Sequence, residues 1–106
     1  MESSKITLGY WNLRGRGQVL RLLLAYTGLE WEDKTYAGPE TWFGSGDKSK
    51  LGLDFPNLPY LMRNNFKLTE SSAIAKYIVK ISDKKDLLGK TPEDEAKVDM
   101  ILSLLD

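Results

Sequence analysis

The chain has few side chains able to do chemistry, and their types narrow what that chemistry is. Among its 106 residues there is no cysteine and no histidine. That excludes a disulfide, a thiol nucleophile, a Cys-x-x-Cys redox pair and iron–sulfur ligation, and it leaves zinc binding and imidazole acid/base catalysis without their usual side chains. What remains is Tyr, Lys, Arg, Asp, Glu, Ser or a bound small molecule. Tyr10 stands at the C-terminal end of the apolar run Ile6 to Trp11. Glu70, Ser71 and Ser72 stand where an apolar helical pattern begins. Free N–H groups and the positive dipole end favour an anion there, and the same residues also serve as plain helix caps. Lys48 and Lys50 fall in a stretch rich in Gly, Ser and charge, where a solvated lysine run is the alternative to an anion site.

The elements that must position these residues follow from local patterns. Ile6 to Trp11 reads as a first strand ending in the loop Asn12-Leu13-Arg14-Gly15. A helix follows over Gln18 to Thr27, with Val19, Leu22, Leu23 and Tyr26 at i, i+3, i+4, i+7 and Gly28 as its C-terminal cap. Glu30 to Ala37 is a second strand, and the right-handed crossover rule makes it parallel to the first. Gly38 to Pro56 reads as a long surface loop with one short helix, of the kind that is often functional. Pro59 to Met62 and Phe66 to Thr69 flank Arg63-Asn64-Asn65 and form an antiparallel hairpin, since Asn tolerates positive φ. A helix over Ala73 to Ile81 carries Ile74, Tyr77, Ile78 and Ile81 on one stripe. The order is βαβ, then ββα. After Ser82 to Lys85 and Leu87-Leu88-Gly89, Thr91-Pro92-Glu93-Asp94 opens a last helix with Val98, Ile101, Leu102 and Leu105 on its apolar stripe.

Composition limits the partners. Fifteen basic residues balance fifteen acidic ones, with 42% apolar and 28% charged residues, the balance of a single globular domain and not of a disordered, collagenous or coiled-coil chain. The even scatter of signs provides no basic stripe, so nucleic acid is not an expected partner. The apolar run Leu22 to Ala25 is far too short for a membrane span, and Met1-Glu2-Ser3-Ser4 carries no positive flank of a signal peptide. A cytoplasmic protein is expected.

Three strings go beyond pattern: Leu8-Gly9-Tyr10-Trp11-Asn12-Leu13-Arg14-Gly15, Leu51-Gly52-Leu53-Asp54-Phe55-Pro56-Asn57-Leu58-Pro59-Tyr60-Leu61, and Leu68-Thr69-Glu70-Ser71-Ser72-Ala73-Ile74. Together they resemble the N-terminal, thioredoxin-like domain of mu-class glutathione transferases, over residues 5 to 106. The resemblance implies an α/β fold: a thioredoxin-like βαβ-ββα domain over 1–86, then a linker and the first helix of an all-α C-terminal domain over 87–106.

It also implies a site for glutathione as co-substrate, with no metal. A thiol of pKa near ~8.5 is mostly protonated at neutral pH, and a Tyr hydroxyl donating to the sulfur stabilises the thiolate. By resemblance that residue is Tyr10; an isolated Tyr would simply pack its ring and wet its oxygen. Leu58 and a cis bond to Pro59 are implied to present a backbone edge to the cysteinyl part, with Asn57 orienting it; an ordinary turn is the alternative. Ser71 is implied to hold the γ-glutamyl carboxylate and Glu70 the adjacent ammonium, although the mu class commonly has Gln at the place of Glu70. Trp42 and Lys48 correspond to residues holding the glycine carboxylate. The spacing from Trp42 to Leu51-Gly52-Leu53 is two residues longer than the mu pattern, so Lys50 is the alternative to Lys48. Trp11 lines the cleft or packs in the core. Arg16 stands where the family usually has an apolar residue, and either brings positive charge near the thiolate or points to water. Phe55 resembles an anchor that inserts into a partner subunit in mu-class homodimers, with local packing as its alternative.

The resemblance implies thiolate attack on small hydrophobic electrophiles, a detoxification chemistry. A non-catalytic, transferase-like structural or adaptor subunit in a larger assembly is the alternative. A thioredoxin-type oxidoreductase is excluded by the absence of cysteine. The last helix reaches Asp106 without a cap, which leads us to expect either a longer chain or a partner for its open face.

Overall fold

The computed structural model describes residues 5–104; the side chain of Arg16 lies outside what it describes. The order is β1 (Ile6–Trp11), α1 (Gly15–Thr27), β2 (Trp31–Tyr36), a π-helical turn (Glu40–Gly44), α2 (Asp47–Lys50), β3 (Tyr60–Arg63), β4 (Phe66–Thr69), α3 (Ser71–Lys80), a 3₁₀ turn (Lys85–Leu88) and α4 (Pro92–Ser103). The sheet runs β2-β1-β3-β4, with β2 parallel to β1 and the other pairs antiparallel. This is the thioredoxin-like βαβ-ββα domain that the sequence implies. Among the described residues no helix is long and apolar enough to cross a membrane.

Strand alternation gives the sheet two apolar faces. Leu8 pairs with Leu61 and, with Ile6, faces α1 and α3, where Leu20, Leu24, Ile74, Ala75 and Ile78 complete the main core. Gly9 pairs with Tyr60 on the opposite face, where Tyr36, Trp42, Leu53 and Leu58 cover the sheet without a long helix. The β3–β4 turn places Asn64 at φ 56, the left-handed conformation that Asn tolerates. Gly28 caps α1 at φ 73, its N–H donating to the Ala25 carbonyl.

Four details depart from expectation. First, α1 begins at Gly15, not Gln18. Second, its core face is Gly17, Leu20 and Leu24, at i, i+3, i+7, whereas of the stripe Val19, Leu22, Leu23 and Tyr26 only Leu23 packs against the core. Leu22 and Tyr26 are each 61% exposed. The helix is apolar on two adjacent stripes, and the sheet takes the one bearing the glycine, which permits the closest approach. Third, the loop after β2 holds two short helical turns instead of one. Fourth, α3 starts at Ser71, two residues early.

The last helix starts as expected: Asp94 N–H donates to Thr91 Oγ1 at 3.1 Å, with Pro92 in the first turn. Lys76 of α3 pairs with Asp99 of α4 at 2.8 Å, and Leu102 packs on the main core. Ile101 remains 60% exposed. Leu105 and Asp106 lie outside the described residues.

Candidate functional site

Register alone brings the sequence-predicted residues to one end of the sheet. Gly9 of β1 is level with Tyr60 of β3, and Tyr60 is level with Thr69 of β4. The adjoining residues Tyr10, Pro59 and Glu70 therefore line up at one sheet end, with Trp11 level with Tyr36 of β2. Ser71, buried, begins α3 at the same end.

Tyr10 is only 7% exposed. Its ring lies on the first turn of α1, where a side-chain carbon at Gly17 would strike the ring, and one at Gly15 would come 2.5 Å from the Tyr10 hydroxyl. Gly15 is also left-handed, at φ 39. The two glycines thus form a slot that a larger residue would fill. The turn between β1 and α1 is held by Arg21, which sequence reasoning missed. Its Nη1 donates to the Leu13 carbonyl at 2.6 Å and its Nη2 to the Trp11 carbonyl at 3.1 Å. The one detectable signal was a single charge inside the apolar run Val19 to Ala25.

The Leu58–Pro59 bond is cis, as the resemblance implies, and both residues are buried. The Leu58 N–H does not face outward unpaired, because it donates to Asn57 Oδ1 at 2.9 Å. Asn57 therefore acts on this edge by occupying its donor. The preceding loop is pinned by Thr69, whose hydroxyl donates to the Phe55 carbonyl at 3.0 Å. The Phe55 side chain is 77% exposed, which corrects the alternative of local packing.

The Trp42 ring packs into the domain, whatever its indole N–H meets. It is 2% exposed, stacked on Tyr60 with ring centroids 5.8 Å apart and edge-on to Tyr36 at 5.2 Å. It belongs to the core on the second sheet face, which it covers together with Tyr36, Leu53 and Leu58. Beside it, Tyr36 donates to Asp47 Oδ2 at 2.9 Å and shares a 2.8 Å hydrogen bond with Tyr60. Burial first, then these two hydrogen bonds, push the Tyr36 hydroxyl far above its ordinary value. Tyr60 is also raised, chiefly by burial, although its bond to Tyr36 works in the opposite sense. These contacts fix α2 and hence the lysines. The Lys48 ammonium sits over the Phe43 ring at 5.0 Å, and Phe43 lies 6.4 Å from Trp11. Lys50 instead turns back to the Ser45 carbonyl at 3.4 Å.

Glu70 has φ 78 and ψ 121, unusual for a residue with a side chain, and is exposed. Strained backbone of this kind gathers at ligand sites and switches. Trp11 is half-buried and lines, with Leu13, Tyr36 and Pro39, a cavity of about 290 Å³. A second cavity of about 280 Å³ is lined by Leu53, Phe55, Thr69 and Glu70 among others. Among the described residues no cluster of acidic side chains could hold a metal ion.

Residues 6–80 match the family described as "Glutathione S-transferase, N-terminal domain". The chain is 50% identical over 96 residues to a class-mu 26 kDa glutathione S-transferase isozyme of Fasciola hepatica, covering 89% of this chain and 42% of that protein. It is 44% identical over 103 residues to glutathione S-transferase Mu 4 of Mus musculus, covering 91% and 45%. A solved glutathione S-transferase of C. elegans superimposes with a TM-score of 0.76 at 33% identity, over 93% of this chain and 45% of that one. The transferase Blo t 8 does so with a TM-score of 0.79 at 34% identity, over 92% and 44%. The chain spans less than half the length of these relatives. With the family's motif residues gathered at one end of a thioredoxin-like sheet, it belongs to the glutathione S-transferase N-terminal domain family.

Proposed function

We propose that this chain binds glutathione and activates its thiol for attack on small hydrophobic electrophiles, as the N-terminal part of a mu-like transferase. The observation that carries this reading is the convergence of Tyr10, the cis Leu58–Pro59 edge and the Glu70–Ser71 helix start at one sheet end. Tyr10 donates to the sulfur and holds it as thiolate. A hydrogen bond to a charged group is worth about 1.5–3 kcal/mol, which corresponds to roughly one to two units of thiol pKa. The thiolate forms a carbon–sulfur bond to the electrophile as the leaving group departs with its electron pair.

The Leu58 main chain meets the cysteinyl part as an added strand, the ligand displacing Asn57 Oδ1 from the Leu58 N–H. Ser71 holds the γ-glutamyl carboxylate at the N-terminus of α3, and Glu70 the neighbouring ammonium. Lys48 takes the glycine carboxylate, while Trp42 supports it from the core through the packing of its loop. Trp11 and Leu13 form the near wall for the electrophile. The exposed Phe55 anchors a homodimer, and the helix after Leu87 opens a second, helical unit that follows the domain of residues 1–86. A cytoplasmic setting, which keeps thiols reduced, suits this chemistry.

The test is calorimetric titration of glutathione into the 106-residue chain and into Tyr10→Phe, together with the pH dependence of thiolate absorbance in the complex. We expect binding by both, with the thiol pKa lowered by one to two units only when Tyr10 is present. A folded chain that ignores millimolar glutathione would overturn the proposal and leave a scaffold of transferase shape.

A further inference from the structure

The Arg21 side chain is 14% exposed and engages three parts of the fold at once. Its Nη1 and Nη2 donate to the carbonyls of Leu13 and Trp11, and its Nε pairs with Asp33 of β2 at 3.1 Å. Its Cζ stands 5.7 Å from the centroid of the Tyr10 ring. Leu13 N–H also donates to the Trp11 carbonyl at 2.8 Å, so the chain reverses sharply just after Tyr10. The guanidinium fork spans both carbonyls of that reversal while covering one side of the ring, and the slot of Gly15 and Gly17 borders it elsewhere. Few side chains can do this. A lysine ammonium carries the same charge but has no planar fork to bridge two carbonyls and a carboxylate in fixed directions.

We propose that Arg21 is a positioning residue: it sets where the Tyr10 hydroxyl stands, by clamping the Trp11–Leu13 turn and covering the Tyr10 ring. The inference rests on the proposed role of Tyr10 for its functional meaning. Its geometric content, the placement of the ring, stands apart from that role. The Asp33 pair is the remote end of the clamp, so losing Asp33 removes an ion pair but leaves both carbonyl bonds.

The experiment compares Arg21→Lys with Asp33→Asn in the 106-residue chain, using Arg21→Gln as a second variant should the lysine form fold poorly. Two quantities are read: the thiol pKa of bound glutathione beside its dissociation constant, and the ring resonances of Tyr10 in the ligand-free protein by NMR with ring-labelled tyrosine. In Arg21→Lys we expect the bound thiol pKa to rise by about one unit, a tenfold loss of thiolate below that pKa, with glutathione affinity within about threefold because Ser71 and Lys48 grip it elsewhere. The Tyr10 resonances should shift clearly in Arg21→Lys and much less in Asp33→Asn. Equal resonances and equal thiol pKa in a merely less stable Arg21→Lys would overturn the proposal. If wild type itself leaves the thiol pKa unchanged, the functional reading fails, and the Tyr10 resonances alone then decide the role of Arg21.

Discussion

Replacing Gly17 by alanine sets two known effects against each other. Gly17 lies in α1 without a left-handed φ, so by helix propensity alone alanine should stabilise the chain by about 1 kcal/mol. The added carbon, however, would stand 2.6 Å from Cγ of Tyr10. Cγ is the root of the ring and cannot swing aside as a flexible side-chain tip could. Expelling the ring would expose roughly 150–250 Å², which at about 25 cal/mol per Å² costs roughly 4–6 kcal/mol. Keeping the ring and shifting α1 from the sheet costs about 1–3 kcal/mol, the usual penalty for an extra methyl in a filled core. The ring therefore stays and the helix yields, for a net loss of about 0–2 kcal/mol after the propensity gain. The shift carries Gly15 and the first turn of α1 away from the Tyr10 hydroxyl and loosens its placement, so bound glutathione should also lose part of its thiolate. Urea unfolding followed by tryptophan fluorescence gives the first quantity, and thiolate absorbance against pH the second. A Gly17→Ala chain that is about 1 kcal/mol more stable, with an unchanged bound-thiol pKa, would refute the slot.

Trp42→Phe separates a core role from direct ligand contact: it should cost about 1–2 kcal/mol of stability and leave glutathione affinity nearly unchanged by calorimetry. A tenfold loss of affinity at unchanged stability would restore Trp42 to the ligand. The aromatic cluster also makes stability depend on alkaline pH. Tyr36 and Tyr60 have raised pKa values in the fold, so above the ordinary tyrosine value of 10.0 the unfolded chain releases protons that the folded chain keeps. Their contribution is complete below that pH and is lost as pH rises beyond it. Midpoints of urea unfolding between about pH 8 and 12 should fall above about pH 10, and less steeply in Tyr36→Phe; equal slopes in the two proteins would refute the assignment.

What was legible in the sequence was local. The strands, the Asn64 turn, the Gly28 cap, the α3 stripe and the Thr91 cap each depend on neighbours within a few residues, and each stands where expected. The face of α1 was not legible, because two adjacent apolar stripes satisfy the same period and only the approach of the sheet at Gly17 chooses between them. The packing of the Trp42 ring was not legible for a related reason: the face of Gly9 and Tyr60 that it covers appears only once β1 and β3 are paired. Arg21 escaped because two of its partners are carbonyl oxygens, which carry no residue-type signal, and the third, Asp33, lies twelve residues away on β2.

The loop that carries Lys48 is also the cover of the second sheet face, and this limits how the site can open. Lifting it from the sheet would bring Trp42 into water, at roughly 4–6 kcal/mol for a ring of that area, before any loss from the Tyr36–Asp47 bond. Such a state would hold about one molecule in a thousand to one in ten thousand or fewer. The entrance of the proposed site is therefore a fixed socket and not a gate, with Lys48 and Trp11 both against Phe43 at its rim. The loop that packs Trp42 onto the sheet is the one that carries Lys48, so durability of the fold and grip on a ligand are tied to one segment.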